Sequence, residues 1–448
     1  MKRIVFALLT SITLSTYAQN PAVLTHSDAV KIGLQKSVTL NQEKNNLFAS
    51  QVQRNSSIQA FLPSVGIEGQ GVRSKGPQQN PENGNLEDFT NDFFNASLSA
   101  SINIFNGFRN LNTLNQNVNA FKAQSSNVQR TEQQTIFDVT NQYMQVLLDQ
   151  ELVRIAEENM KAQQVLLDQI RESVRLGARA EADLYNQDAQ VKNFEVLWLN
   201  SKVTLENDKA LLAQTLQLDP SQDFVVEFPK TEVDVVSALE LSLDSLYQIA
   251  LAQREDLKQI EYQINANQAS FRSTFSGYLP RLTAFASYGS NYYSSLRPDP
   301  RYGNFNSQFF NVLPSTAVGF SFAIPIYDRG VTRYNRSFSK VQMENAELRR
   351  ENLKKSIMID VKRSVNNYKA AVESYKASQA QYQAGELAFR TQQESFLLGV
   401  SNQVTLAQAS QTYVQAQASR AQAEVRLFFQ KILISYALGT LRQQDVIE

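Results

Sequence analysis

Few side chains in this sequence could take part in covalent or acid–base chemistry. The 448 residues include no cysteine, five methionines and a single histidine, His26. Without cysteine the chain can form no disulfide scaffold, thiol nucleophile or thiolate metal site. The same scarcity of soft ligands argues against a carrier that binds heavy metals. His26 lies near the N-terminus, before an apolar-periodic segment, and we predict a surface residue at a helix cap there.

The sequence also lacks the local motifs of enzymes. It contains no HExxH, GxSxG or P-loop pattern, and its carboxylates follow helical surfaces without converging on one point. Its 43 basic and 43 acidic residues balance, and no basic block stands out. Nucleic acid is therefore not an expected partner. We predict a protein that is not an enzyme and that has no cofactor and no metal site.

The first residues have the pattern of a secretory signal peptide, which we assign to residues 1–18. Lys2 and Arg3 precede an apolar run from Ile4 to Leu14, and a small-residue cleavage site ends at Ala18. The run is shorter than the roughly 20 residues of a membrane-spanning helix. A buried N-terminal helix is the alternative interpretation. No later stretch is apolar for long enough to cross a bilayer as a helix, so a membrane position would require a β-barrel.

Proline and glycine divide the rest of the chain. No proline occurs between Pro81 and Pro220, and none follows Pro325. Because proline breaks helix interiors, both intervals are free to be helical throughout. We predict long helices from Gly107 to about Leu176 and from Gly330 to about Leu398. At about 1.5 Å per residue, each could extend roughly 100 Å.

Landmarks in the first half recur in the second. Leu176-Gly177-Ala178 returns as Leu398-Gly399-Val400, an offset of 399 − 177 = 222, and Phe105-Asn106 returns as Tyr327-Asp328 at the same offset. Such self-similarity indicates two tandem repeats. We place the first repeat at residues 19–240, with a hairpin at about 63–106, a tip at 176–179 and an equatorial segment at about 219–240. The second repeat covers residues 241–448, with a hairpin at about 279–328 and a tip at 398–401.

The helices have a narrow apolar seam. Leu184, Val191, Trp198, Leu205 and Leu212 are seven residues apart, which is typical of coiled-coil packing. The remaining faces carry Gln, Asn, Ala and Ser more than charge. This pattern suits a hollow assembly with water on one side, although an ordinary coiled-coil stalk has the same periodicity.

The hairpins alternate apolar and polar residues. Two strands carry their apolar side chains on one face: Ala96, Leu98, Ala100, Ile102 and Ile104 in the first hairpin, and Val318, Phe320, Phe322, Ile324 and Ile326 in the second. Aromatic residues that could form an interfacial belt crowd the same hairpins: Phe89, Phe93, Phe94, Tyr292, Tyr293, Phe309 and Phe310. Strands of this kind suit a membrane barrel, and a soluble sheet with one buried face predicts the same alternation.

Counting strands sharpens the membrane interpretation. Two hairpins supply four strands, whereas the smallest transmembrane barrels need about eight. An open sheet edge in lipid would leave backbone groups without partners. A membrane position therefore requires an oligomer, and we predict a homotrimer whose twelve strands close a transmembrane β-barrel.

At its landmarks the sequence resembles the TolC family of outer-membrane efflux and secretion channels. The matching segments, from about Thr25 to Leu441, include Phe61-Leu62-Pro63, Tyr278-Leu279-Pro280, the run from Pro325 to Gly330, and the Leu-Gly-Ala and Leu-Gly-Val breaks. The resemblance implies a mainly α fold with β-hairpins, in which a long α-helical barrel continues into the trimeric β-barrel. It places the barrel in the outer membrane, in contact with its lipid, and the helical part in the periplasm.

The resemblance also implies partners and docking residues. In such channels the helix-turn tips, with a Val-Gly-Leu-Ser/Thr motif, meet a periplasmic adaptor that connects to an inner-membrane RND, ABC or MFS transporter. The corresponding positions here are Leu176, Gly177, Ala178, Arg179, Leu398, Gly399, Val400 and Ser401. The second tip keeps the motif with apolar exchanges, whereas the first keeps only its first half.

A pore constriction near the second tip is a further implication of the resemblance. Some members carry two aspartates where this chain has Thr405 and Gln408, and a latching Tyr and Arg where it has Phe396 and Ser401. A neutral Thr/Gln pair in three copies predicts a polar opening with little charge selection. Asp183 occupies the matching acidic position past the first Gly. A solvated carboxylate in the first turn of a helix explains it equally well.

Together these patterns favour a passive exit duct of a tripartite efflux pump or type I secretion system, gated at its periplasmic tip. Two other functions remain open from the sequence. A periplasmic adaptor also uses long helical hairpins, but it would normally carry soluble β-domains and lack duplicated strand pairs. A structural coiled coil of the cell envelope would have no use for two symmetrically placed hairpins.

Overall fold

The computed structural model describes residues 22–79, 84–219, 223–228, 242–296 and 299–444. The predicted signal peptide and most of the predicted equatorial segment lie outside these residues. The chain divides into two units. Unit 1 comprises residues 1–41, 131–253 and 357–448, and unit 2 comprises residues 42–130 and 254–356. This division follows spatial contacts, whereas the two tandem repeats are a sequence prediction.

Unit 2 contains a four-stranded antiparallel sheet built from the two hairpins. Its strands are β2 (Ser64–Gln79), β3 (Leu86–Phe105), β5 (Arg281–Tyr293) and β6 (Ser315–Ala323), in the order β2-β3-β5-β6. Leu98 lies opposite Ile67 on one side and Tyr288 on the other. The apolar face is open: Val318 is 78% exposed and Phe320 is 72% exposed. Among the described residues, no strand pairs with the outer edges of β2 and β6.

The predicted extent of the last strand was wrong. We expected Ile324 and Ile326 to continue its apolar face, but β6 ends at Ala323. Pro325 has no backbone N–H to donate to a ladder, so the strand cannot continue past it on its paired side. Ile326 is consequently 97% exposed in the connection to the next helix.

Two helices of equal length follow the hairpins. α3 (Arg109–Arg175) and α8 (Val331–Leu397) each have 67 residues. Two successive left-handed residues precede each helix: Gly107 and Phe108 before α3, and Arg329 and Gly330 before α8. A Cβ on Gly107 would lie 2.9 Å from the Cα of Ser276, so a side chain would not fit there. None of the described helices is both long and apolar enough to cross a membrane.

Shorter helices complete the chain. They are α1 (His26–Lys36), α2 (Val38–Gln59), α4 (Glu181–Thr215), α5 (Leu243–Gln253), α6 (Glu255–Thr274), a one-turn α7 (Phe305–Ser307), α9 (Gln403–Phe428) and α10 (Gln430–Leu438). Of the five seam residues predicted along α4, Val191, Leu205 and Leu212 are buried, and Leu184 and Trp198 are half-buried. Burying one narrow stripe of each helix leaves its polar residues facing outward.

The principal apolar core of unit 1 lies where β1 (Ala22–Leu24) pairs in parallel with β4 (Phe224–Val226). We call it the middle cluster; it includes Val30, Val139, Tyr143, Val146, Leu212, Leu216, Phe429 and Leu441. The hydroxyl of Tyr143 lies 3.0 Å from the carbonyl of Leu24 and 2.7 Å from that of Glu227, which share its one proton, and it accepts from the N–H of Glu227 at 3.2 Å. One side chain thus contacts the ends of both strands. The Tyr143 hydroxyl therefore has hydrogen-bond partners although its side chain is buried in the middle cluster.

The surface position predicted for His26 was wrong. His26 is 7% exposed, and its ring packs against Tyr143 and Phe429 at 5.2 Å each. Its Nε2 lies 2.9 Å from the hydroxyl of Thr140. Burial lowers the pKa of His26 to about 4, so the ring is neutral at physiological pH. It acts as an aromatic core residue with one polar contact.

Candidate functional site: the two helical tips

Both long helices of unit 1 end in the same kind of turn. At the first tip, Gly177 has φ +73° and its N–H bonds to Val174, while the N–H of Ala178 bonds to Ser173 at 2.9 Å. At the second tip, Gly399 has φ +79° and the N–H of Val400 bonds to Ser395 at 2.9 Å. This is the Schellman arrangement, in which a left-handed glycine satisfies the last carbonyls of a helix. Each turn reverses the chain with few residues.

The residues at the apex of each turn are exposed and apolar. Leu176 is 67% exposed at the first tip, and Leu398 and Val400 are 80% and 82% exposed at the second. The first tip continues with Ala178, which offers a much smaller apolar surface. Exposed apolar residues grouped at a turn are typical of a surface that contacts a partner. The second tip therefore presents the larger apolar surface.

Arg179 connects the first tip to the end of α8. Its side chain is only 13% exposed, and its guanidinium carbon lies 3.9 Å from the centre of the Phe396 ring. The guanidinium also donates a hydrogen bond to the backbone carbonyl of Phe396 and lies 3.6 Å from the carboxylate of Asp183. The guanidinium of Arg179 thus makes a hydrogen bond to a carbonyl, a cation–π contact with a ring and an ion pair with a carboxylate. We call this set the tip clamp.

A small apolar core supports the tip clamp. The ring of Phe396 is 1% exposed and packs with Leu166, Ile170 and Leu406. We call these four residues the tip cluster. They come from α3, α8 and α9, so the tip cluster joins the helical pair α3–α4 to the helical pair α8–α9.

Hydroxyl groups organise the start of α9. The side chain of Asn402 accepts a hydrogen bond from the N–H of Thr405 at 3.0 Å and caps the helix. The hydroxyls of Ser401 and Thr405 lie 2.6 Å apart, and Ser401 donates to Gln392 at 3.0 Å. These hydroxyl and amide groups carry no charge.

Gln408 lies on the wall of an open groove between α4 and α9. The groove has a volume of about 520 Å³. Its lining is mostly amide-bearing: Asn186, Gln190, Asn193, Gln403, Gln408 and Gln411, with Phe194 and Val404 between them. Uncharged amides offer both donors and acceptors to a passing or docked polar chain.

A buried row of amides lies between the helices near the tips, and sequence reasoning missed it. Gln163 donates to Ser410 (3.0 Å), Gln187 donates to Gln163 (2.8 Å), and Gln403 donates to Gln187 (2.6 Å). All four residues are buried. Gln163 lies three residues after Met160 and four before Leu167, which places all three on one face of α3. A polar residue on that otherwise apolar face was the available signal.

The structure separates the predicted constriction residues into three places. Asp183 and Phe396 meet through Arg179, Ser401 and Thr405 meet at the start of α9, and Gln408 lies in the groove. Among the described residues, no three His, Asp or Glu side chains are grouped closely enough to hold a metal ion.

Comparisons with known proteins find several similar outer-membrane proteins. It is 22% identical to the outer membrane protein TolC of Salmonella enteritidis over 71% of this chain and 64% of the relative. The match therefore spans somewhat less than two thirds of that protein. It is 23% identical to TolC of Escherichia coli (strain K12) over 78% of this chain and 75% of the relative. The pyoverdine export outer membrane protein OpmQ of Pseudomonas putida is 21% identical over 80% of this chain and 72% of the relative.

Solved structures share the fold. The outer-membrane channel OprN superimposes with a TM-score of 0.78 at 18% identity, over 93% of this chain and 90% of that chain. The Campylobacter jejuni CmeC outer membrane channel gives a TM-score of 0.78 at 15% identity, over 100% of this chain and 96% of that chain. The family model described as outer membrane efflux protein matches residues 31–220 and 246–439. With both helical tips and both hairpins inside these matches, the chain belongs to the outer membrane efflux protein family.

Proposed function

We propose that three copies of this chain form the exit duct of a tripartite efflux pump or a type I secretion system. Membership of the family gives the outer membrane as the location, with a helical part in the periplasm, and a role that is not enzymatic. It also implies that the chain acts together with a periplasmic adaptor and an inner-membrane transporter. The trimer, the transporter class (RND, ABC or MFS) and the residues that gate the duct belong to the proposal.

The observation that carries the proposal is the four-stranded sheet with two free edges. Its outer strands β2 and β6 lack strand partners among the described residues, and its apolar face is exposed on Val318, Phe320 and Phe322. In lipid, such edges must pair with other chains, because an unpaired backbone group there costs several kcal/mol. Three sheets joined edge to edge would supply twelve strands, and the exposed apolar faces would meet lipid.

The tips are the proposed gate. The tip clamp joins the turn after α3 to the end of α8, so releasing it removes the charged link between the helical pairs α3–α4 and α8–α9. The neutral residues Thr405 and Gln408 would leave an opening with little preference for charge. Asp183 is then a partner of Arg179 within the chain, which accounts for the carboxylate without an ion-binding role.

The exposed tip residues are the proposed docking surface for the periplasmic adaptor. Leu398 and Val400 would supply most of the apolar contact, and Leu176 would supply the counterpart on the first tip. The amide-lined groove between α4 and α9 continues this surface with polar groups. An apolar centre with a polar rim is the usual anatomy of a protein interface.

A matched pair of substitutions tests the membrane position of the sheet. Phe320→Lys places a charge on the apolar face, and Ser321→Lys places the same charge on the opposite face, one residue along β6. A lysine at the centre of the lipid face costs about 2–4 kcal/mol. We therefore expect F320K to lower the amount of trimer in the outer-membrane fraction sharply and S321K to leave it nearly unchanged.

Chemical crosslinking of the same fractions measures the trimer. The wild-type chain and S321K should give a crosslinked species three times the monomer mass. Without crosslinker, the same oligomer should separate into monomers on heating. Equal behaviour of F320K and S321K, or crosslinked species that stop at a dimer, would contradict the proposal. Recovery of the wild-type chain in the soluble periplasmic fraction would instead favour an adaptor or a structural coiled coil.

A further inference from the structure

The connection between β5 and β6 folds back onto one face of the sheet. It passes through a 3₁₀ turn (Ser294–Leu296), the one-turn helix α7 and a π-helical turn (Gln308–Val312). Phe305 packs against Phe94 of β3 (5.8 Å) and Tyr292 of β5 (5.0 Å). Phe309 packs against Phe94 at 5.4 Å and stacks on Phe305 at 5.3 Å with an interplanar angle of 6°. We call these four rings, with Phe310, the aromatic knot.

The register shows which face the aromatic knot covers. Phe94 lies directly opposite Tyr292, so both side chains share one face. Residues of even number along β3 share that face, which places Leu98 there. Leu98 is opposite Tyr288, and further along β5 Ala284 is opposite Phe320. The aromatic knot therefore packs on the same face as the exposed apolar band.

A buried side chain fixes the connection in this position. Gln308 is 0% exposed, its Oε1 accepts from the N–H of Tyr293 at 3.0 Å, and its Nε2 donates to the carbonyls of Tyr293 (3.1 Å) and Gly303 (3.0 Å). Pairing between β5 and β6 stops at Gly289. The amide of Gln308 thus takes the place of a strand partner for Tyr293. A connection anchored in this way is a built part of the fold.

The apolar band ends at the aromatic knot. One step further along the same face, Arg73 and Asp92 form a two-pronged ion pair with N–O distances of 2.6 and 2.9 Å. Within the connection, Arg301 pairs with Asp299 at 2.6 Å. Both arginines are mostly exposed, at 74% and 80% of their side-chain surface. The aromatic rings thus lie at a boundary between an apolar surface and paired charges.

We propose that the aromatic knot anchors the chain in the outer leaflet of the outer membrane, at the level where acyl chains meet headgroups. The occupant of its outer surface is lipid, because the surface continues the apolar band on which the membrane position of the sheet depends. Aromatic side chains favour this depth, where one side of the ring is apolar and the other is wet. Arg73 and Arg301 are each paired with a carboxylate, so the proposed anchor rests on apolar burial and not on phosphate binding by these two arginines.

The exposure of the rings fits this position. Phe310 packs on Phe309 at 5.1 Å but remains 63% exposed, and Val312 beside it is 41% exposed. The opposite face of the sheet carries its own pair, Phe93 and Tyr293, at 5.1 Å. A connection that covered the opening of a duct would pack on that opposite face. The observed packing assigns the connection to the lipid side.

A single-tryptophan experiment tests this inference, which rests on the proposed membrane position of the sheet. The chain has one tryptophan, Trp198, so Trp198→Phe gives a silent background. Phe310→Trp, Phe320→Trp and Phe93→Trp are each introduced into that background in the full chain. The purified proteins are placed in phosphatidylcholine vesicles whose acyl chains carry bromine at shallow or deep positions, and acrylamide serves as the aqueous quencher.

We expect F310W to be quenched most by shallow bromine, F320W to be quenched by bromolipid at greater depth, and F93W to escape bromolipid. Quenching of F310W by acrylamide alone would overturn the proposed anchor. Quenching by neither acrylamide nor bromolipid would also overturn it and would indicate that a protein surface covers the ring. If F320W also escapes bromolipid, the membrane position of the sheet itself fails. Phe305→Trp repeats the test at a second ring of the aromatic knot should F310W not assemble.

Discussion

Unit 1 is held together in two very different ways at the middle cluster and at its tips. The middle cluster buries large side chains completely, with Tyr143, Leu212 and Phe429 all 0% exposed. The tip cluster has four buried apolar residues. Beyond it, the second tip exposes Leu398 and Val400. Its remaining cohesion comes from Arg179 and from a row of buried amides.

This difference shows where the helices can move at least free-energy cost. Separating apolar side chains in the middle cluster would expose a large apolar area, at about 25 cal/mol for each Å². Hydrogen bonds at the tips exchange with water for a net cost of about 1 kcal/mol each. Regions with few buried apolar contacts open first in folded proteins. This contrast supports the proposed gate at the tips.

The largest expected effect is a loss of stability from a cavity in the middle. Leu212→Ala should lower the free energy of unfolding by roughly 2–5 kcal/mol, because the packed surroundings cannot close the space. For Leu406→Ala in the tip cluster, the loss of free energy of unfolding should lie toward the lower end of that range, because the helix ends can move in to fill the cavity. Heat-induced loss of the trimer band on gels measures both. Equal losses would refute the contrast between middle and tips.

Releasing the tip clamp should change the stability of the trimer little and the passage of ions through the duct strongly. Arg179→Met keeps most of the side-chain stem but removes the ion pair, the hydrogen bond to Phe396 and the cationic face contact. If the tip clamp holds the duct closed, conductance of the purified protein in planar bilayers should rise severalfold. The trimer should melt within a few degrees of wild type.

Arg175→Met is the matched control for Arg179→Met. Arg175 lies four residues earlier, is exposed, and bonds to Glu172 on its own helix. It should leave conductance unchanged. A rise in both variants would mean that loss of positive charge, and not release of the tip clamp, opens the path.

The third prediction compares the two tips with each other. Val400→Asp places a charge on the larger apolar apex, and Ala178→Asp places one at the corresponding position of the first tip. Val400→Asp should reduce pump-dependent drug resistance of cells more than Ala178→Asp, with equal protein in the outer membrane. Crosslinking to the adaptor provides the second measurement. A stronger effect from Ala178→Asp would reverse the assignment of the main docking surface.

The sequence was informative wherever structure is set by local rules. Proline-free intervals and single glycines predicted α3 and α8 to within a few residues, because helix breaking and the left-handed turn depend on one residue at a time. Alternation predicted the strands for the same reason. Alternation alone does not show where a strand ends, so the end of β6 at Ala323, two residues before Pro325, did not follow from it.

Contacts between distant segments were not predictable in this way. His26 is buried because residues 22–24 pair with residues 224–226, and no local pattern announces that pairing. Arg179 was recognised as a tip residue, but its contact with Phe396 requires two helical pairs to meet. The amide row around Gln187 and the fold-back of residues 305–312 have the same origin. In each case the partner lies far along the chain or in another element.

The smallest predicted effect is a pH dependence located in unit 1 away from the tips. Asp149 of α3 is 4% exposed, and burial together with a hydrogen bond to Asp208 raises its pKa to about 7. An aspartate with its ordinary pKa near 4 ionises freely in the unfolded chain, whereas the folded chain holds the proton until about pH 7. Stability contributed by the protonated acid is therefore lost as the pH rises from about 4 through 7.

Asp149→Asn removes the ionisation, so its gain in melting temperature should be small at pH 5 and larger, by a few degrees, at pH 8. Asp168→Asn on the same helix is the control, since Asp168 is exposed and pairs with Arg171. Combining Asp149→Asn with Arg179→Met then separates the two regions. Distant sites without shared partners add within about 0.5 kcal/mol. If the pH-dependent gain changes in the double variant, the tips and the rest of unit 1 are coupled, and release of the tip clamp is not a local event.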